Sequence, residues 1–231
     1  MKKFLALALV VLMGASANAQ LVQSRSFHKE GARVNWFVRG GVSLNTTNGK
    51  YVKDFKKINE DNGFKGSVGF KPGFDVSAGF QRFFGKKNGY WGAELGVGTR
   101  GFTQKSKNES VTFKENLNAF TVKLPIFLGY SYPINEDIRI DGHVGPFVSF
   151  DFAGKFTDAD GETTSISDLE DEYDNEYQRL DVGAAAGLGV WYDHVLLDVT
   201  YQRGFFKWFG AEHYLDQGNA SNIIIRLGYA F

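Results

Sequence analysis

Eight stretches of the chain alternate apolar and polar residues at every second position, the mark of strands with two unlike faces. They run over residues 33–44, 73–81, 90–102, 120–130, 138–150, 181–192, 194–202 and 221–231. In the first, Val34, Trp36, Val38, Val42 and Leu44 share one face, and Arg33, Asn35, Arg39 and Ser43 share the other. The last, SNIIIRLGYAF, sets Ile223, Ile225, Leu227, Tyr229 and Phe231 against Asn222, Arg226 and Gly228. Pro125 and Pro146 fall inside two stretches and lack a ladder donor, so each predicts a weakened strand or a bulge.

The segments between the strands alternate in length. Residues 45–72, 103–119, 152–178 and 203–220 form long links, while the turns near 84–89, 133–137 and 192–194 are short. This order predicts an all-β, eight-stranded antiparallel up-and-down barrel, with four long loops at one end and three short turns and both termini at the other.

The polar faces carry nearly balanced charge. Arg33, Arg39, Arg100, Lys123, Arg139 and Arg226 stand against Asp75, Glu94, Asp141, Asp181 and Asp198, with His143 among them. A solvated exterior needs no such balance, whereas a narrow lumen does, because buried charges must be paired. Aromatic residues gather toward both ends of the apolar stripes: Trp91, Tyr130, Tyr192, Tyr229 and Phe231 at one end, Phe102, Phe120, Phe150 and Tyr201 at the other. Two girdles, with strands of bilayer-spanning length, favour a transmembrane β-barrel over a soluble ligand-binding barrel.

Composition narrows the setting. Charge is balanced at 26 basic and 26 acidic residues, which gives no global attraction to nucleic acid. There is no cysteine, hence no disulfide and no thiolate site. Lys2 and Lys3, the apolar run Phe4–Met13 and Ala17-Asn18-Ala19 read as a secretory signal peptide over 1–19, cut before Gln20. Residues 20–32 then form a short periplasmic segment and 33–231 the barrel domain.

The stretches GGVSL, AELGVGTRGF, VKLPIFLGY, HVGPFVSF, LDVTYQRGF and the closing LGYAF, taken in order, resemble the PorT-like outer-membrane β-barrel family of Bacteroidota. The resemblance implies an outer-membrane barrel of eight strands. It also implies that Ile223, Ile225, Leu227, Tyr229 and Phe231 form a signal for the barrel-assembly machinery. Many such signals place a glycine further in than Gly228. A role in secretion belongs to one subgroup of that family; a secretion-system accessory barrel is therefore one alternative function.

Candidate chemistry is sparse. His143 shares the inward face of its strand with Arg139 and Asp141, which suits a lumen hydrogen-bond network better than a catalytic dyad, and His28, His194 and His213 lie before the barrel, in a turn and in a loop. The third long loop holds Asp158, Asp160, Glu162, Asp168, Glu170, Asp171, Glu172, Asp174 and Glu176; its DADGE segment lacks the full spacing of a calcium loop. Lys50, Lys53, Lys56, Lys57 and Lys65 in the first loop suit pairing with that acidic loop or with lipopolysaccharide. With Phe37, Phe127 and Phe147 also inward, the lumen is expected to be plugged. The sequence thus predicts a non-enzymatic barrel, without cofactor or metal, that has a structural or interaction role. The alternatives are an outer-membrane enzyme and a small-ligand binder. Its expected partners are outer-membrane lipid and lipopolysaccharide, the assembly machinery, and an extracellular protein or glycan. The loops are expected outside the cell and the termini in the periplasm.

Overall fold

The computed structural model describes residues 34–84, 88–168, 177–208 and 218–231. Its elements are β1 (Val34–Gly49), α1 (Lys50–Asp61), β2 (Lys65–Gly69), β3 (Lys71–Phe83), β4 (Gly89–Lys107), β5 (Thr112–Pro133), β6 (Ile138–Thr157), β7 (Thr163–Ser165), β8 (Leu180–Tyr192), β9 (Val195–Lys207) and β10 (Gly218–Ala230). Eight of the strands close into one antiparallel ring in the order β1, β3, β4, β5, β6, β8, β9, β10, and β10 returns to β1. The seam runs from Phe37 opposite Ala230 to Gly49 opposite Gly218, so the ring leaves no open edge.

Alternation positions every side chain. Leu95, Leu128, Leu188 and Leu227 point outward and are 60–68% exposed, while Glu94, Lys123, Asp181 and Arg226 on the same strands are buried. The outer belt is flanked by aromatic groups. Trp36, Phe80 and Trp91 pack at 5.2–5.5 Å near the short-turn end, and Phe74, Phe120 and Phe152 at 6.3 Å near the other. Phe102 departs from expectation. It is only 1% exposed and lies inside, because it shares the parity of Glu94 and Arg100 and not that of Leu95.

Two of the expected long links are built otherwise. Residues 45–72 are not an irregular loop: β1 continues to Gly49, whose φ of 105° turns the chain into α1. Tyr51, Phe55 and Asn59 recur at every fourth position and are buried against the barrel mouth, with Lys53, Lys56 and Lys57 on the exposed side. Residues 103–119 form a projecting hairpin instead of a link. β4 and β5 stay paired out to Lys107 opposite Thr112, and Asn108 closes the turn by accepting the amides of Ser110 and Val111 at 2.9 and 2.7 Å. β2 adds to the side of this hairpin, making a three-stranded flap.

The register passes Pro125 and Pro146 without a shift; the bulges lie instead at Phe120/Thr121 and Asn219/Ser221. The β8–β9 turn is tight, with Asp193 at φ 51°, a conformation short polar side chains tolerate.

Candidate functional site

The inward faces build three levels inside the ring. At the middle, the Arg226 guanidinium is bound by Asp198 at 2.7 Å, Glu94 at 3.1 Å and Asp75 at 3.2 Å. Arg39 meets Glu94 at 2.8 Å and Asp198 at 3.4 Å, and its guanidinium lies 4.2 Å over the Phe37 ring. Lys123 pairs with Asp75 and donates to Gln202 at 3.4 Å. Three cations thus face three carboxylates from β1, β3, β4, β5, β9 and β10, all with side chains at most 5% exposed. Strands that alternate strictly have no other place for these groups, and burial without such pairing would cost several kcal/mol per ion.

Toward the loop end, Arg100 binds Asp151 and Asp181, each at 2.7 Å, and stacks 4.8 Å from the Trp208 ring. The Tyr177 hydroxyl donates to Asp151 at 2.6 Å. Burial, reinforced by the Asp151 carboxylate, holds the Tyr177 phenol well above its usual range, so it stays a donor. Above this level Tyr51, Phe55, Phe102, Leu117, Ile166, Tyr177, Trp208 and Ala220 form an apolar cluster across the mouth. Tyr51 also hydrogen-bonds Gln104, which bonds Glu115, fastening α1 to the flap.

Toward the short-turn end, Arg139 stacks 5.0 Å from Trp191, and Asp141 accepts from the Tyr90 hydroxyl and, at 3.3 Å, from the Trp191 indole. Phe37, Tyr90, Phe127, Trp191, Leu196 and Ala230 form a second apolar cluster here. Glycines make room for these rings. A Cβ at Gly92 would lie 2.7 Å from Phe127, and one at Gly129 would strike the Tyr90 ring. Phe147 is likewise buried, over Gly183.

His143 stands between the lower and middle levels. It contacts Thr200 at 3.3 Å and lies 3.9 Å from both Asp141 and Asp198, with its ring 5.5 Å from that of Phe127. Thr200 donates its own hydroxyl to Asp198 at 2.9 Å. His194 packs on Tyr229 in the β8–β9 turn.

The structure therefore brings Arg39, Asp75, Glu94, Lys123, Asp198 and Arg226 into one layer. It places Arg100 with Asp181, and Arg139 with Asp141 and His143, in separate levels. Arg33, His28, His213 and Glu170, Asp171, Glu172, Asp174 and Glu176 lie outside the described residues, as do 1–19 and 20–32. Asp151 was missed by ending the fifth stretch at Phe150, one residue before the next inward position. Tyr177 and Trp208 arrive from links with no alternation to reveal them.

Of the acidic loop, Asp158 accepts the amides of Asp160 and Glu162 at 3.0 and 2.9 Å, which accounts for the DADGE segment as a turn. Among the described residues, no group of three His, Cys, Asp or Glu is placed to hold a metal ion. On the last strand Ile225, Leu227, Tyr229 and Phe231 are exposed on the outer wall, and Ile223 is partly covered.

No curated protein matches the chain by sequence. Solved structures that match include Ail of Yersinia pestis in complex with the heparin analogue sucrose octasulfate, at 15% identity and TM-score 0.41 over 86% of this chain and 99% of that one. The outer membrane protein OprG of Pseudomonas aeruginosa matches at 15% identity and TM-score 0.45, over 90% and 99%. A family model described as the outer membrane protein beta-barrel domain matches residues 18–210. The chain belongs to this family of outer-membrane β-barrels.

Proposed function

We propose that this protein is a sealed barrel that acts as a structural or interaction protein, presenting its loop end outside the cell and keeping its termini in the periplasm. The observation that carries the reading is the paired charge layer held between two apolar clusters, Tyr51, Phe102 and Trp208 above, Tyr90, Phe127 and Trp191 below. A ring of this size is just wide enough for side chains, and here ion pairs and aromatic rings occupy the space a solute would need. In planar bilayers the purified protein is expected to show no large, stable conductance; such a conductance would overturn the reading.

The same burial supports a non-catalytic role. His143 is enclosed by Phe127, Thr200 and two carboxylates, away from the loop-end mouth, and the hydroxyl beside it is committed to Asp198. The rest of the reading follows from an outer-membrane setting. Residues 1–19 direct export, the exposed face of β10 engages the assembly machinery, and the loop end meets lipopolysaccharide and an extracellular protein or glycan. The narrower PorT-like assignment is part of this proposal. Cross-linking from the loop end in intact cells, followed by identification of the captured molecule, tests the interaction role.

A further inference from the structure

The flap formed by β2, β4 and β5 has two unlike faces. Its inner face is fastened to α1: Val68 packs against the mouth cluster and Gly66 lies so close to Asn59 that a Cβ there would sit 3.0 Å from it. Its outer face carries Lys65 directly opposite Lys107, and Lys105 directly opposite Lys114, one row apart. The other outward positions of the flap are Ser67, Gly69, Thr103, Thr112 and Asn116, so four lysines share this face with no carboxylate. All four are exposed, and no side-chain ion pair or hydrogen bond joins them to another described residue. Like charges set directly across two strands destabilise a sheet, and no carboxylate among the described residues relieves them here.

The position of this face says what relieves it. Along β5 the outward side chains run from Leu124, Val122 and Phe120 through Asn118 and Asn116 to Lys114. The lysine rows therefore continue the membrane-facing wall, about 20 Å further along the strand than the aromatic girdle and about 15 Å above it at barrel tilt. A ligand standing beside the barrel in the leaflet reaches this face along its whole height. We infer that the four lysines form a binding site for the phosphate groups of lipopolysaccharide resident in the outer leaflet. The inference rests on the proposed orientation, with the loop end outside.

The test uses the full-length barrel in phosphatidylethanolamine vesicles with and without lipopolysaccharide. K65Q/K105Q/K107Q/K114Q is compared with K50Q/K53Q/K56Q/K57Q, which removes equal charge from α1 and its first turn. Affinity for lipopolysaccharide is expected to fall at least about 100-fold in the flap variant and to change far less in the helix variant. Dephosphorylated lipopolysaccharide should bind the wild type as weakly as the intact lipid binds the flap variant. K105Q/K114Q should raise the melting temperature in lipid lacking lipopolysaccharide and shrink the stabilisation that lipopolysaccharide gives. Equal losses in the two quadruple variants would reduce the effect to net charge and overturn the site. Equally tight binding of the soluble phosphorylated core oligosaccharide would overturn the membrane-resident source. Protease accessibility of the loop end on intact cells reports orientation separately. If that end is outside and the flap variant binds normally, the inference fails while the proposed function stands.

Discussion

Arg226 on β10 meets Asp75 on β3 at 3.2 Å, reaching past β1, the strand that separates them in the ring. The contact belongs to a layer in which three cations share three carboxylates, so removing Arg226 leaves three buried anions facing only Arg39 and Lys123. R226M is expected to destabilise the folded barrel by about 3–5 kcal/mol, read from reversible urea unfolding in lipid. Adding D198N should cost less than the sum of the two single changes, because both act on one pair. Additive losses would show that the layer is not coupled.

The exposed outer leucines distinguish lipid from water as their surroundings. Leu95 is 60% exposed, and in a soluble protein an arginine there would be close to neutral. Facing the bilayer midplane, L95R is expected to cost about 2–4 kcal/mol in folding free energy. Lys114, on the projecting part of the same wall, should tolerate arginine with little change.

Space for the lower aromatic cluster depends on missing side chains. G92V pushes a branched group against the Phe80 carbonyl oxygen, which a Cβ would strike, and against the Phe127 ring, whose edge lies 2.7 Å from where the Cβ would be. Overpacking of this kind costs about 1–3 kcal/mol, and the loss should appear as a lower unfolding midpoint with an unchanged urea slope. F127A combined with G92V should recover part of it, since the ring that clashes is gone.

The outward stripe of β10, proposed above to engage the assembly machinery, carries a prediction about biogenesis. Deleting Phe231, which is 37% exposed and contributes no side chain to the lumen, should slow assembly-dependent insertion in cells. Spontaneous refolding into detergent and the urea midpoint should remain near wild type. A matching drop in equilibrium stability would assign the residue a structural role instead.

The ring was readable because period-two alternation is imposed by the backbone itself and survives any change of context. The same rule, carried one residue further, reaches Asp151; counted strictly, it turns Phe102 inward. α1 was harder to read. Its segment is rich in lysine, and its buried face reduces to Tyr51, Phe55 and the polar Asn59, so tertiary contact with Phe102 supplies the reason for the helix. Pairing of β4 with β5 beyond the girdle was hidden because both faces of the flap are largely polar, which removes the alternation that marks a strand. Partners from separate strands, such as Arg100 with Asp151, could be matched in sign but not in space, since strand order does not fix which inward residues share a level.

The pairing of β1 with β10 also completes the charge layer. β10 is the last ring strand in the chain, and it delivers Arg226, the group that touches Asp75, Glu94 and Asp198 at once. While the seam is open, Arg226 keeps Asp198 on the adjacent β9, but its contacts to Asp75 and Glu94, and that of Arg39 to Asp198, need β1 and β10 to meet. The charge layer is therefore a completion check: a ring still open at its seam lacks these cross-seam ion pairs, and closure supplies them, which favours the closed ring over a partial sheet.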